Sequence, residues 1–553
     1  MSRLVQKSPS LCTDLPLDNS DICTKLYLLR QLLKSCFGPT GRLKQVHNNI
    51  GGHVITTSSS SVLLPAISSS QSFINLIKTS ILNHVSRFSD CGLFAAILCL
   101  SLIEQAKQSG LSFSVAIKLN KHLLGLCTGY LQQEDCGCKV KLDFCSSHNL
   151  ITLARSIISS KPACVLTESE ALHISKLAVH AFLLTVPCNR PGHPVLISAV
   201  FPGLLVDAPD VSGIDESENM RSNPLRVVLF SASLAGDLSE LGDGIFDVHP
   251  GVDTDLQILD RLLELVKQVV EDEVKLFVCQ KVIHPVVQQH LKSRGVIVIE
   301  RLGNPLMETL TQLTGAQPVA TLHTTIPAKA YGEVRDLSII HFGSRTMLQL
   351  HPPGESSICT MILCHRNETM LGELKVAFQK TEHVLRLTLR EPSALLGGGC
   401  TETHLAAYVR HKVRSIPETL SALGCSQAEL LLGAGGFCRS LESVAAALEH
   451  DGGNSLMDLT HAHHWTHPAD VMREHLDESL GFCGCGLMEG SPEQRRAYLN
   501  TNYPQFSPAP LSRDTAVQPR VLDSFAAKFN ALQVAVETAN LALDVRYLVQ
   551  DIN

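Results

Sequence analysis

Charge of either sign is scarce in this chain, and aromatic side chains are scarcer. Of its 553 residues 18% are charged and 5% aromatic, with one Trp, where globular chains average about 25% charged. The 46 basic and 53 acidic residues leave a net charge of −7, so no global basic field attracts nucleic acid or an anionic membrane. No apolar run reaches the roughly 18 residues of a membrane span. The longest, Leu93 to Leu100 with Leu102 and Ile103 beyond it, predicts a buried helix. Met1 to Lys7 lacks the apolar segment of a secretory signal. The 19 cysteines are an odd number scattered through apolar segments, which does not read as a compact disulfide framework, and a reducing cytosol is the expected compartment. The Walker A pattern G-x-x-x-x-G-K-[ST], H-E-x-x-H and G-x-S-x-G are all missing, so P-loop, zincin and serine-hydrolase readings lack support. What is plentiful is apolar surface: 44% of residues are hydrophobic, enough for large cores and subunit interfaces and too much for bulk disorder. The length suggests about three or four domains.

Organisation changes twice along the chain. Apolar positions recur at helical spacing through Leu26 to Leu33, Leu93 to Ile103 and Val115 to Leu126, with turns at Gly38-Pro39-Thr40-Gly41 and Gly51-Gly52. From about 195 to 355, short runs such as Val227 to Phe230, Lys275 to Val278 and Val296 to Ile299 alternate with amphipathic stretches such as Leu256 to Val270. That third reads α/β, and Leu256 to Val270 as a helix packed on its sheet. After about 375 helical periodicity returns, ending in a stripe of Phe525, Phe529, Leu532, Val536, Ala539 and Leu543. This order suggests two helical ends forming one domain around an inserted middle. Asp207 to Pro224 and the proline-rich Gly490 to Pro519 read as exposed loops, the second dispensable for folding.

Several motifs carry chemistry, each beside a plainer reading. Gly38-Pro39-Thr40-Gly41-Arg42-Leu43-Lys44 could cradle phosphate oxygens with backbone N–H groups and a lysine; alone, it is more simply a turn. Gly397-Gly398-Gly399-Cys400-Thr401-Glu402 fits either a hinge or close approach to a ligand. His461, His463, His464 and His467 crowd together, and His463 and His467 have the i,i+4 spacing of helical metal ligands. Pro468 would end such a helix, and Cys136/Cys138 and Cys483/Cys485 are C-x-C rather than the usual C-x₂₋₄-C. The cluster therefore reads as a solvated turn with no metal.

Together these motifs resemble those of group II chaperonins, cytosolic ring-forming folding machines, over essentially the whole chain. The glycine loop at 38–44 resembles that family's G-P-x-G-x-x-K, Gly397 to Glu402 its G-G-G-A-x-E, Phe277 to Lys281 its V-x-C-Q-K strand end, and Leu313 to Ala316 its T-G-A. Ala535 to Ala539 lies in a helix like its last. The closest likeness is to a divergent vertebrate branch. The resemblance implies a multidomain α/β fold: a helical equatorial, nucleotide-binding-like domain (1–144 and 393–553), a small intermediate domain (145–193 and 357–392) and an α/β apical client-binding domain (194–356).

Departures from the motifs shape the functional expectation. The family's T-N-D-G-A-T aligns with Thr56 to Ser61, putting Ser58 where the magnesium-holding Asp stands. Its G-D-G-T-T-T becomes Ser89-Asp90-Cys91-Gly92-Leu93-Phe94, keeping Asp90 and losing the threonines; its hydrolytic Asp would fall near Glu382 or His383. Hard Mg²⁺ prefers carboxylate oxygens, and Leu93 and Phe94 set apolar bulk beside a polyanion. The resemblance then implies Gly38, Pro39, Thr40, Gly41, Lys44, Ser58, Asp90 and Gly397 to Gly399 around a weakened ATP/Mg site, with Asp90 its remaining catalytic group. Met307, Glu308 and Thr311, on a helix beside Val286 to Leu291, would meet clients. The implied role is a chaperonin-like assembly factor with little ATPase, near the centrosome. Its implied partners are related divergent chaperonin-like proteins, cytosolic chaperonin ring subunits and subunits of the ciliary Bardet–Biedl trafficking complex. The alternative is an active ATP-hydrolysing subunit.

Overall fold

The structure, a computed structural model, describes residues 11–47, 54–67, 69, 71–185, 200–207, 224–236, 254–320, 325–342, 345–354, 358–415, 424–469, 481–491, 493–509 and 518–550. The chain divides into two compact units, 1–179 with 363–553, and 180–362. Both chain ends therefore belong to one unit.

The first unit is organised around the helix Gly92–Gln108. Residues 92–103 are all buried, so the helix is apolar all round, as a central helix must be. Helices Phe525–Asp544, Gln427–Ala446, Ser20–Lys34 and Ser72–Phe88 surround it, each turning an apolar stripe inward. The strand Ser393–Leu396 is buried throughout and pairs antiparallel with Lys139–Lys141 on one side and Leu522–Ser524 on the other. This strand delivers the chain into the triple glycine and then into the helix Cys400–Ser415. A second three-stranded sheet has Asn454–Asp458 between His464–His467 and Arg496–Tyr498.

That second sheet corrects the reading of Gly490 to Pro519 as an exposed, dispensable loop. Arg496–Tyr498 pairs with Leu456 to Asp458. Leu499 is buried in a small core with Met457 and Ala462, against which Tyr503 and Phe506 pack. Tyr503 Oη donates to the buried Glu442 at 2.6 Å, and the Asn500 N–H donates to the same carboxylate at 3.1 Å. Residues 492 and 510–517 lie outside the described residues, as do 208–223 of the other expected loop.

The second unit holds a four-stranded sheet in the order Tyr331–Val334, Leu225–Phe230, Val274–Cys279, Ile297–Ile299. The last three are parallel, joined by helices Thr254–Glu271 and Pro285–Ser293. Sheets covered on both faces read as continuous apolar runs, and Val227 to Phe230 and Leu276 to Cys279 are each 0% exposed. One face packs on Leu262, Leu265, Val266 and Val269 of the first helix and Val287 and Leu291 of the second. The other face packs on Met307, Leu310 and Leu313 of the helix Asn304–Thr314. Two expectations fail here. Met307 is a core residue, 3% exposed, so it does not face a client, and its helix lies on the opposite sheet face from Val286 to Leu291. Glu308 remains exposed and Thr311 is half-buried. Among the described residues no helix is long and apolar enough to cross a membrane.

Candidate functional site

A cavity of about 590 Å³ opens in the first unit where several of the singled-out segments converge. Gly38, Pro39 and Thr40 line it, with Asp90 to Phe94, Gly398, Gly399 and Glu402. Gly38 has a positive φ of 83°, which lets the chain reverse after the helix Ser20–Lys34. The helix Gly92–Gln108 begins at the cavity with no side chain capping it. Its first N–H groups are a natural seat for an anion.

Other expected residues lie elsewhere. Gly41, Lys44, Ser58 and Gly397 do not line the cavity. Lys44 Nζ donates to the Arg42 carbonyl at 3.3 Å. Ser58 is 1% exposed with no hydrogen-bond partner for its hydroxyl among the described residues, and Ser60 takes the place at the cavity wall. Glu382 pairs with Arg386 one turn along its own helix, while His383 Nδ1 meets Ser89 Oγ, beside Asp90.

Features beyond the motifs decide the electrostatics. The acids Asp90, Glu402, Glu449, Asp451 and Asp523 line the cavity together with the bases Arg155, Lys161, Arg520 and Lys528. Three of those bases are engaged. Arg155 pairs with Glu168, Arg520 lies 3.9 Å from the Phe482 ring centroid, and Lys528 Nζ sits 2.6 Å from Glu402 and 2.5 Å from Asp523. Burial works against the Lys528 charge, but Asp523 and then Glu402 outweigh it and hold its pKa above the ordinary lysine value. A sequence signal for Lys528 existed: a lysine set between Ala527 and Phe529 on an apolar helix has to find a buried counter-ion.

The loop before the central helix is strained. Ser89 and Cys91 both take left-handed backbone, φ 60°, where the G-D-G motif has glycine, at a cost of roughly 1–2 kcal/mol each. The triple glycine is explained from within the protein. A Cβ on Gly398 would lie 2.1 Å from the Gly484 carbonyl oxygen, so its close approach is to the 483–486 turn.

The histidine cluster is neither helical nor solvated. His464–His467 is a strand, and His463, His464 and His467 are 1–3% exposed. His464 Nδ1 donates to the Gly398 carbonyl at 2.9 Å, and the Gly484 N–H donates to the His464 carbonyl at 2.7 Å. His463 Nδ1 lies 3.4 Å from Cys483 Sγ and 3.5 Å from Cys485 Sγ. The reading of a solvated turn fails because the burying partners come from about 20 and 60 residues away.

Beside the cavity, Lys380 is 5% exposed, its Nζ donating to Ser59 Oγ. Burial, then Lys161, lowers its pKa to about 7 against the pull of Asp90 and Glu373. The unfolded value is about 10.4, so between the two the unfolded chain binds more protons and stability rises with pH. Below about pH 7 the folded protein carries the full cost of a buried ammonium. Lys380→Met should therefore flatten the rise of urea midpoint between about pH 7 and 10, and gain most at the low end. Identical slopes in the two proteins would refute the assignment.

The chain matches the TCP-1/cpn60 chaperonin family over residues 29–553. It is 45% identical to Molecular chaperone MKKS of Homo sapiens and 44% identical to that of Mus musculus, in each case over the whole of both chains. It is 22% identical to the Probable T-complex protein 1 subunit beta of Schizosaccharomyces pombe, over 77% of this chain and 84% of that one.

Proposed function

Because this chain belongs to the TCP-1/cpn60 chaperonin family, we propose that it is a chaperone that holds and assembles protein complexes while hydrolysing ATP poorly or not at all. Its clients in this reading are subunits of the ciliary Bardet–Biedl trafficking complex, met near the centrosome together with related chaperonin-like proteins and cytosolic chaperonin ring subunits. The division into equatorial, intermediate and apical domains at the boundaries given above belongs to the same proposal, with client contact moved to exposed positions such as Leu306 and Glu308.

The observation that carries the weak-ATPase reading is the cavity wall. Leu93 and Phe94 stand at the anion-binding helix start, and the Lys528 ammonium is already neutralised by Glu402 and Asp523. Apolar bulk beside a polyanion costs desolvation with no compensating bond, and each lost positioning group is worth about 10²–10³ in rate. Nucleotide can still dock through Gly38, Gly398 and the free helix start. Asp90 at the same wall favours the second reading, an active ATP-hydrolysing subunit.

ATP turnover by the purified chain, alone and with partner chaperonin-like proteins, separates the two. The expected result is no turnover above background, in the wild type and in Ser58→Asp alike, since the carboxylate would enter a buried site behind the cavity wall. Wild-type turnover comparable to an active chaperonin subunit would establish the second reading, and such turnover in Ser58→Asp alone would refute the prediction that restoring the carboxylate is insufficient.

A further inference from the structure

Behind the triple glycine, three cysteines and a histidine from three separate segments converge. Cys400 is the first residue of the helix Cys400–Ser415, His463 precedes the strand His464–His467, and Cys483 and Cys485 sit on one tight turn. All four are buried: Cys400 and Cys485 at 0%, His463 at 1% and Cys483 at 4% exposure. The four donor atoms lie within 4.8 Å of one another, with Cys483 Sγ 3.4 Å from both Cys485 Sγ and His463 Nδ1, and Cys485 Sγ 3.5 Å from His463 Nδ1. A tetrahedral zinc with its usual bond lengths sets sulfurs about 3.8 Å apart and sulfur about 3.6 Å from nitrogen.

We propose that Cys400, His463, Cys483 and Cys485 form a structural zinc site that clips the triple-glycine turn to the 483–486 turn. Three thiolates and an imidazole are a zinc donor set, and four protein ligands leave no open position for chemistry. The His463 ring makes no other side-chain hydrogen bond among the described residues: Nδ1 faces the sulfurs, and Nε2 has no hydrogen-bond partner, although the ring edge meets that of His461. Such an imidazole is costly to bury unless something engages it. The Cys483–Cys485 turn is prepared for ligation. Its backbone closes through Cys483 N–H to the Met488 carbonyl at 2.9 Å and Gly486 N–H to the Cys483 carbonyl at 2.8 Å, and the Met488 N–H donates to Cys483 Sγ at 3.2 Å. N–H donors of this kind stabilise a metal-bound thiolate. On binding, each thiol that ligates releases its proton to solvent.

The position gives the ion a purpose. Cys400 follows Gly399 directly, Gly484 between the two turn cysteines touches Gly398, and Gly398, Gly399 and Gly484 all line the cavity. The zinc would lock that wall whether or not nucleotide is bound, so the inference does not depend on the ATP reading.

The test is metal content of the full chain, purified under reducing conditions without chelator. We expect one equivalent of zinc, and after exchange to Co²⁺, the thiolate charge-transfer and visible ligand-field absorption of a tetrahedral site. Cys400→Ser and Cys485→Ser should each lower bound zinc at least about tenfold, since a closed site tolerates no missing ligand. Cys138→Ser, at the other buried C-x-C, should keep it. Wild-type protein that retains no zinc and gives no tetrahedral Co²⁺ spectrum would overturn the proposal. So would a Cys483–Cys485 disulfide in the reduced preparation, or full zinc content in Cys485→Ser. The wild-type Co²⁺ spectrum decides even if a variant does not fold.

Discussion

Lys528→Met is expected to destabilise the first unit by about 3–5 kcal/mol, the cost of stranding a buried partner charge. Lys528 Nζ lies within 2.6 Å of both Glu402 and Asp523, and Glu402 is 2% exposed. With the ammonium gone, burial already pushes the Asp523 carboxyl above the usual aspartate range, and the Lys528 charge that opposed this is lost. Methionine fills the same length of side chain, so the expected loss is electrostatic and leaves no cavity. Chemical denaturation followed by far-ultraviolet circular dichroism measures it. Combining Lys528→Met with Glu402→Gln should recover part of the loss, because one of the two orphaned acids becomes neutral. A Lys528→Met protein within about 1 kcal/mol of wild type would show that the cluster is solvated and contributes little.

The same cluster bears on function. In a cavity that is to hold polyphosphate, a lysine is useful when its charge faces the ligand. Here the charge is spent on two carboxylates, and the Phe94 ring centroid lies 5.2 Å from Nζ. Any nucleotide would rely on backbone N–H groups at Gly38, at Gly398 and at the start of the helix Gly92–Gln108, which bind an anion without supplying a metal ligand. On the function proposed above, such a wall would allow binding without turnover.

How much of this was legible follows from the range of the interactions. The helix Gly92–Gln108 could be read directly, because an apolar run of that length has to be buried wherever the chain goes. The parallel strands around Val227 to Phe230 and Leu276 to Cys279 were legible for the same reason. The convergence of Gly38, Asp90 and Gly398 came from family motifs in order, since nothing in their local spacing requires them to meet. The buried histidines were misread. A proline after His467 and a C-x-C instead of C-x₂₋₄-C are local signals, whereas His463 is buried by Cys483 and Cys485, with Cys400 about 60 residues away completing the cluster. The segment after Gly490 misled in the same way: its prolines are local, and its anchor, Glu442, is some 60 residues back.

Met307 was misread for a different reason, and the error yields the second large prediction. Met307, Leu310, Leu313 and Thr314 stand at i, i+3, i+6 and i+7, the spacing of a single buried stripe, so the pattern itself placed Met307 inward, and assigning it to a client face set that pattern aside. In the structure Met307 packs with Val227, Leu229, Leu276 and Val278 against the sheet of the second unit. Met307→Glu would bury a carboxylate among the apolar side chains that pack on Met307. It is expected to cost more than about 3 kcal/mol, or to keep the second unit from folding. Leu306→Glu, one residue earlier on the same helix and 37% exposed, should stay within about 0.5–1 kcal/mol of wild type. Thermal melts and limited proteolysis of the two full-length variants read the contrast. If client or partner capture falls in Leu306→Glu while its melt is unchanged, the exposed side of this helix is a contact face. Capture lost only in Met307→Glu, together with its fold, would mean that the helix serves the core alone. A Met307→Glu protein that melts like wild type would contradict the buried position from which the prediction starts.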